Sequence, residues 1–477
     1  MTTPDGLHLL SALDLAAAYR SGATSPTEVV DHLLARVDTH ADTLGAFVTV
    51  TADRARAQAL QATQRFRDGD GDRLPPLYGV PTAIKDLTMT AGVRTMFGSA
   101  VMREHVPTVS DEVVVRIEAA GLISLGKTNT PEFGSPCYTE PDVAPPARTP
   151  YDLARSAGGS SGGAAAAVAA GLVPVAHGSD GGGSIRIPAS VCGLVGFKPT
   201  RGRISAAPVH GDVSGLSTHG CLATTVRDAA ALLDVMAGHH PGDPTWAPPL
   251  PVGQTYLGWC DRTPAPLRIG CFSEPLISDC ELDPHVRGAY EQARELLVGL
   301  GHEVVDIGPP PRLRTAVPDF EVVWAVGTTG IPVPVEAEHL LRPLTRWLRE
   351  RGARTSAAQY QAALVGMRQA AASAQVALHP YDAVLTPTLG QLPALVSGLR
   401  NDQDPAADFA AQKDFTPFTA AWNVTGMPAV SMPTGWSGTG LPIGTMLAGR
   451  AGEDHLLLAI AAQVEAALPP LTRAVLG

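Results

Sequence analysis

Arg155-Ser156-Ala157-Gly158-Gly159-Ser160-Ser161-Gly162-Gly163 opens a stretch that closes, after an alanine-rich run, on Gly178-Ser179-Asp180-Gly181-Gly182-Gly183-Ser184-Ile185-Arg186. A segment so rich in Gly, Ser and Ala has the composition of a flexible linker. A linker is polar throughout, and this one is not. Gly162 to Leu172 reads as an alanine-rich helix and Val173 to Ala176 as a short strand, with a second glycine cluster directly behind. Glycines placed around a helix and a strand permit close backbone approach to a ligand.

The flanking sequence carries the same layered texture. Gly79 to Ile84 and Gly121 to Leu125 are short apolar runs of strand character, and Ser110 is placed as the cap of a helix from Asp111 to Ala120 between them. Strand, helix and strand in succession call for an α/β architecture. Upstream, Leu13 to Arg20 reads as a helix, and Ser25-Pro26-Thr27-Glu28 is a capping box with Pro at the first helical position, opening a helix to about His40. Downstream, the Pro/Gly-rich residues 239–266 read as a subdomain boundary. A strand at Leu267 to Gly270, a helix from Asp283 to Leu300, helices over 335–378 as a cap or insertion, a strand at Ala383 to Thr386 and a helix from Glu453 to Leu468 follow.

With 477 residues, 45% of them hydrophobic and 17% charged, the chain has ample material for a large core and is too apolar for disorder. Its 35 basic and 46 acidic residues give a net charge of −11, so there is no basic field to collect nucleic acid or anionic lipid. No stretch of eighteen apolar residues occurs, and Met1 to Leu10 lacks a positive segment followed by an apolar run, which predicts a cytoplasmic protein. Six scattered cysteines without C-x-x-C spacing read as reduced core thiols. Only four of the basic residues are lysines: Lys85, Lys127, Lys198 and Lys413.

Three patterns compete for the chemistry. Gly121 to Thr128 satisfies the phosphate-loop pattern around Gly126-Lys127-Thr128, which would make a nucleotide-binding protein. A phosphate loop needs free amides and a helix starting at its Lys, whereas residues 122–125 are strand-like and Pro131 follows closely. Gly158-Gly159-Ser160-Ser161-Gly162 fits the nucleophile elbow, with His177, His210 and His219 as partners, but the residues before it form a loop rather than a strand. The third is the combination of Lys85 with the two Gly/Ser turns. Lys85 ends an apolar strand in a chain that otherwise uses Arg, and only Lys loses its proton when desolvated. Gly181, Gly182 and Gly183 stand before Ser184, where their amides are placed to converge on an oxyanion.

Together these segments resemble the amidase signature family. The resemblance runs from Gly79-Val80-Pro81 through Lys85-Asp86, along Gly126 to Gly134, through Gly158 to Gly163 and Gly178 to Pro188, and on through Gly193 to Arg203 and Thr225 to Asp228. Phe415 to Pro433 and Gly440 to Gly444 match the family's C-terminal part, leaving 245–375 weakly matched. The resemblance implies one α/β/α sandwich around a central mixed, twisted sheet flanked by helices. It makes residues 1–477 a single amidase domain, with N-terminal helices at about 8–67, a catalytic core at about 74–240, a helical cap at about 310–380 and a return to the core at about 381–468.

It further implies a Ser-cisSer-Lys triad without histidine: Ser184 the nucleophile, Ser160 the bridging serine after a cis peptide, and Lys85 the base. Gly181, Gly182 and Gly183 would form the oxyanion hole, and Asp180, Arg186 and Ser161 would give structural support. No metal or cofactor is needed. The expected substrate is a small-molecule amide, anilide, oligoamide or carbamate, with no nucleic-acid or membrane partner and a homodimer left open. The texture is nearest to nylon-oligomer hydrolases and amidases that cleave aryl amides and urethanes. Ala157 stands where the family usually has Pro, Cys221 where Pro is common, and 140–149 lack the familiar Asn/Gly-rich loop. A glutamine-dependent amidotransferase subunit is the alternative on the same nucleophile, and a phosphate-loop protein the alternative of another class.

Overall fold

The chain entering the fold is organised by its helix caps. Ser11 and Ser25 each accept a hydrogen bond from the backbone three residues on, and the Asp14 and Glu28 carboxylates accept one from the serine amides. These two capping boxes start α1 (Ala12–Ser21) and α2 (Pro26–Leu44), each of which ends on a glycine in the left-handed region. The computed structural model describes residues 4–209, 211–470 and 474; His210 lies outside the described residues.

The strands form two sheets. β1 (Phe47–Val50), β3 (Ile123–Thr128) and β2 (Pro81–Lys85) make the smaller, in that order. The larger is built from β4 (Val175–Asp180), β5 (Val195–Lys198), β6 (Thr218–Ala223), β7 (Arg268–Cys271), β8 (Glu303–Asp306), β9 (Ala383–Pro387), β10 (Ala429–Trp436) and β11 (Pro442–Gly449). Its order is β4-β6-β5-β10-β11-β9-β7-β8, antiparallel except where β7 pairs with β8 and β9, so the sheet is mixed. The two sheets abut along β2 and β4, where Thr82 Oγ1 donates to the Val175 carbonyl at 3.1 Å. That abutment brings the end of β2, carrying Lys85, beside the end of β4, carrying Asp180.

Helices flank the sheets: α3 (Ala52–Arg67), α4 (Glu112–Ala119), α5 (Gly162–Ala169), α6 (Arg186–Val191), α7 (Val226–Met236), α8 (Tyr256–Trp259) and α9 (Pro284–Gly299). α10 (Val317–Thr329), α11 (Pro343–Ala353) and α12 (Ala357–Leu378) form the helical region expected near 310–380. α13 (Pro405–Phe415), α14 (Ala421–Thr425) and α15 (Asp454–Ala467) complete the chain. The result is the expected α/β class, with one cluster of buried apolar side chains running from Leu7 to Val464.

Several local expectations shift. Ser110 does not cap α4; Asp111 holds the cap position, and Ser110 Oγ instead accepts the Ala91 amide at 2.9 Å. The strand placed at Val173 to Ala176 begins at Val175 and runs to Asp180, because pairing with β6 continues through the glycine at 178. The Pro/Gly-rich segment 239–266 is tied to the body, since the Asp234 carboxylate accepts the Tyr256 and Leu257 amides at 2.7 and 2.9 Å. Gly121 to Thr128 forms a turn and β3 rather than a phosphate loop. The cysteines are free thiols, with Cys260 and Cys280 only partly buried.

The glycines at 159, 162 and 163 are explained by neighbouring protein atoms, not by ligand. A Cβ on Gly159 would lie 2.8 Å from backbone atoms of Tyr138, and one on Gly162 2.5 Å from Thr139 Oγ1. One on Gly163 would lie 2.4 Å from the Asn129 amide and 2.6 Å from the Ala46 carbonyl. All eight residues of α5 are buried, so this helix threads the interior with no side larger than Val168. Gly163→Ala should therefore destabilise the fold by about 1–3 kcal/mol despite alanine's better helix propensity, read as a lower thermal midpoint.

Candidate active site

β2 delivers Lys85 into the interior as its last residue. The side chain is fully buried, and Nζ donates to Ser160 Oγ at 2.8 Å and to the Ser179 carbonyl at 3.1 Å. No carboxylate touches it; burial pulls the amine down to about 7, with the more distant Asp180 opposing the shift. Ser160 follows a cis Gly159–Ser160 peptide, as the resemblance implied. Gly134, with φ at +68°, closes over this point: a Cβ there would lie 2.4 Å from Leu87 and 3.3 Å from Ser160 Oγ.

Ser161 joins the two Gly/Ser turns. Its amide donates to the Ser184 carbonyl at 3.1 Å, and its hydroxyl to the Ser179 carbonyl at 3.2 Å. Ser184 itself sits just before α6, 7% exposed, on the wall of a chamber of about 70 Å³. Volume alone would have chosen elsewhere: hollows of about 910 and 1170 Å³ contain none of Lys85, Ser160 or Ser184.

Asp180 and Arg186 form a fully buried, two-pronged ion pair across the turn, Arg186 Nε and Nη2 donating at 3.0 and 2.8 Å. The same carboxylate accepts the Gly183 amide at 2.8 Å, the Ile185 amide at 3.1 Å and Asn423 Nδ2 at 2.8 Å. Burial disfavours its charge, yet Arg186 and the donors around it hold the carboxyl well below the usual carboxylate range. The Gly183 amide, expected to receive an oxyanion, is thus already engaged by Asp180. Thr419 fixes the turn from outside, its hydroxyl donating to the Gly182 carbonyl at 2.7 Å.

Other residues singled out by sequence fall away from the serines. Lys127 is buried against Asp86 at 3.4 Å and donates to the Thr88 carbonyl and Thr95 hydroxyl at 2.6 and 2.7 Å. Lys198, also buried, donates to the Pro199 carbonyl at 2.9 Å. His177 and His219 meet each other at 3.0 Å, and burial holds both below their ordinary range, His219 at about 4. Neither contacts Ser160 or Ser184. Among the described residues, no group of three His, Cys, Asp or Glu side chains is placed to hold a metal ion.

Sequence reasoning missed the wall opposite the turn. Phe320 and Trp324 of α10 stack at 5.3 Å and 20° over Gly181 and Gly182, and Trp324 Nε1 donates to Ser135 Oγ at 3.2 Å. It also missed Thr419 and Asn423, although both lie inside the Phe415 to Pro433 segment already matched.

The sequence matches the amidase family over residues 28–458. The chain belongs to the amidase signature family. A 6-aminohexanoate-cyclic-dimer hydrolase of Paenarthrobacter ureafaciens is 36% identical over 485 aligned positions, covering 96% of this chain and 94% of that one. The solved structure of a 6-aminohexanoate cyclic dimer hydrolase complexed with substrate superimposes with a TM-score of 0.89 at 34% identity, covering 97% of this chain and 98% of that one. A bacterial aryl acylamidase of the amidase signature family superimposes with a TM-score of 0.86 at 26% identity, over 97% and 96% of the two chains. This amidase signature chain is thus similar along nearly its whole length to enzymes that cleave amides. No described helix is long and apolar enough to cross a membrane.

The buried pair gives a test of what holds the turn. Asp180→Ala strands Arg186 without its anion and removes the acceptor of two turn amides. It should cost about 3–5 kcal/mol of stability, measured by denaturant unfolding.

Proposed function

We propose that the chain hydrolyses small-molecule amides, including anilides, oligoamides and carbamates, through an acyl-enzyme on Ser184. The observation that carries this reading is the 2.8 Å contact between Ser160 and a fully buried lysine that no carboxylate neutralises. An amine held at about 7 is available as a base near neutrality, which a salt-bridged lysine is not. The family membership and the amide-hydrolase relatives support the same reading.

In this mechanism neutral Lys85 takes the Ser160 proton while Ser160 takes that of Ser184, and Ser184 Oγ adds to the carbonyl carbon. The oxyanion is received by the Gly181 and Gly182 amides, while Gly183, tied to Asp180, sets the curvature of the turn. Ser160 then delivers a proton to the nitrogen as the C–N bond breaks, and Lys85 returns its own proton to Ser160. Water, deprotonated by the same relay, adds to the ester and releases the acid and Ser184. We further propose that the whole chain serves as one domain, since both the glycine turns and residues 419–423 are needed to shape the site.

The first experiment is labelling with a small fluorophosphonate, followed by peptide mapping. The adduct should fall on Ser184 alone, and Ser184→Ala should lower amide turnover by about 10⁴-fold or more. Ser160→Ala should cost about 10²- to 10⁴-fold. Labelling at Ser160, or turnover that survives Ser184→Ala, overturns the assignment. Turnover confined to glutamine, and dependent on a co-purifying protein, would point to an amidotransferase subunit instead.

The pH dependence has a fixed sign. The neutral amine is the active form, so kcat/KM should fall about tenfold per unit below pH 7 and level off above it. Lys85→Arg keeps the positive charge but has no neutral form in this range, and should be inactive at every pH tested. A profile that rises towards acid would refute a lysine base.

A further inference from the structure

The chamber at Ser184 has a neighbour. A second, apolar hollow of about 40 Å³ lies beyond it, lined by Leu313, Ala316 and Val317 on one side and Ala421 and Val424 on the other. The two share the side chains of Ile277, Phe320, Phe409, Lys413 and Ala420. Among these, Phe320 is the one whose ring reaches across from α10 towards the nucleophile turn. Its Cζ lies 3.7 Å from where a Cβ on Gly182 would stand, and it stacks on Trp324. Phe409 is held aside against Trp347, and the Lys413 amine is held by Glu321 at 2.7 Å. Glu321 is bound in turn by Arg351 at 3.2 Å, so the charged groups on this wall are paired with one another.

We propose that Phe320 sets the acyl-chain length this enzyme accepts, acting as the partition between the chamber at Ser184 and the apolar hollow behind it. The inference rests on Ser184 being the nucleophile. The acyl half of the substrate is assigned to this chamber because its wall includes Ser184 and Gly182 but neither Ser160 nor Lys85. The leaving nitrogen must reach Ser160 to be protonated, so it lies on the other side of the carbonyl. An apolar cavity that holds a benzene ring is about 150 Å³. The chamber alone is about half that size and suits acetyl or propionyl groups, whereas the two hollows joined approach it.

The test compares acetyl and hexanoyl 4-nitroanilides on the full chain and on Phe320→Ala, with fluorophosphonate labelling of Ser184 run on both. Each further methylene buried is worth about fourfold. The ratio of hexanoyl to acetyl kcat/KM should therefore rise at least fivefold in Phe320→Ala, largely through KM, and the acetyl substrate should lose its contact with the ring. Phe320→Leu, which keeps apolar bulk against Trp324, should fold if Phe320→Ala does not, and should shift the ratio in the same direction by less. A ratio that stays within fivefold in Phe320→Ala, or that does not move in Phe320→Leu where that variant must stand in, with Ser184 still labelled, overturns the partition. Loss of Ser184 labelling in the unmutated chain overturns the mechanism beneath it instead.

Discussion

A lysine works as a base only where its charge is unwelcome and its neutral form is solvated by nothing better than a hydroxyl and a carbonyl. Lys85 meets that constraint because β2 ends inside the molecule, against β4, with Ser160 and the Ser179 carbonyl as its contacts. A carboxylate beside it would restore the charge and remove the base that we propose. The nearest acid that matters is Asp180, and its charge is already taken by Arg186. The sheet abutment, the glycine turns and the ion pair all serve that one requirement of an unpaired amine in a dry place.

The ion pair does a second task. Asp180 and Arg186 are six residues apart, but Arg186 also donates to the Thr419 carbonyl and Asn423 Oδ1, and Asn423 Nδ2 donates to the Asp180 carboxylate, more than two hundred residues later. The returning C-terminal segment therefore holds the turn that carries Ser184, the proposed nucleophile. Such a pair adds little net stability, because its desolvation offsets its attraction, but losing one partner is costly. Its value here is positional: it takes up the Gly183 and Ile185 amides and so fixes the backbone on either side of Ser184.

What the sequence disclosed follows from which physical demands are local. Close packing leaves glycine as the residue that fits at 159, 162, 163 and 183, so the two turns were legible, although the partner at Gly159 and Gly163 is Tyr138 and Asn129 rather than a ligand. The scarcity of lysine was informative in a less specific way: it marked Lys85, Lys127, Lys198 and Lys413 alike, and the first three are buried whereas Lys413 is partly exposed. Lys127 faces Asp86 and Lys198 a carbonyl, and the difference in chemistry lies in those partners, which are set by tertiary packing. The cap of α4 was misplaced by one residue, because Ser110 and Asp111 are equally good caps in isolation and in the fold neither side chain bonds the helix: Ser110 Oγ accepts the Ala91 amide and Asp111 the Met89 amide at 2.8 Å.

The wall of the chamber was illegible for a different reason. Phe320 and Trp324 are four residues apart on α10, so they share one face of a helix, and that much is visible in any sequence. Which face looks at the turn is decided by how α10 lies against α11 and α12, and helical periodicity carries no such information. A turn that must receive an oxyanion is specified by backbone and leaves a motif. The acyl pocket we propose is specified by the volumes of side chains brought together from α10, α13 and the segment before α14, and any set of similar shape would serve. On the reading we propose, the chemistry of this protein is therefore written in short contiguous motifs, whereas its selectivity is written in residues that meet only when the chain is folded.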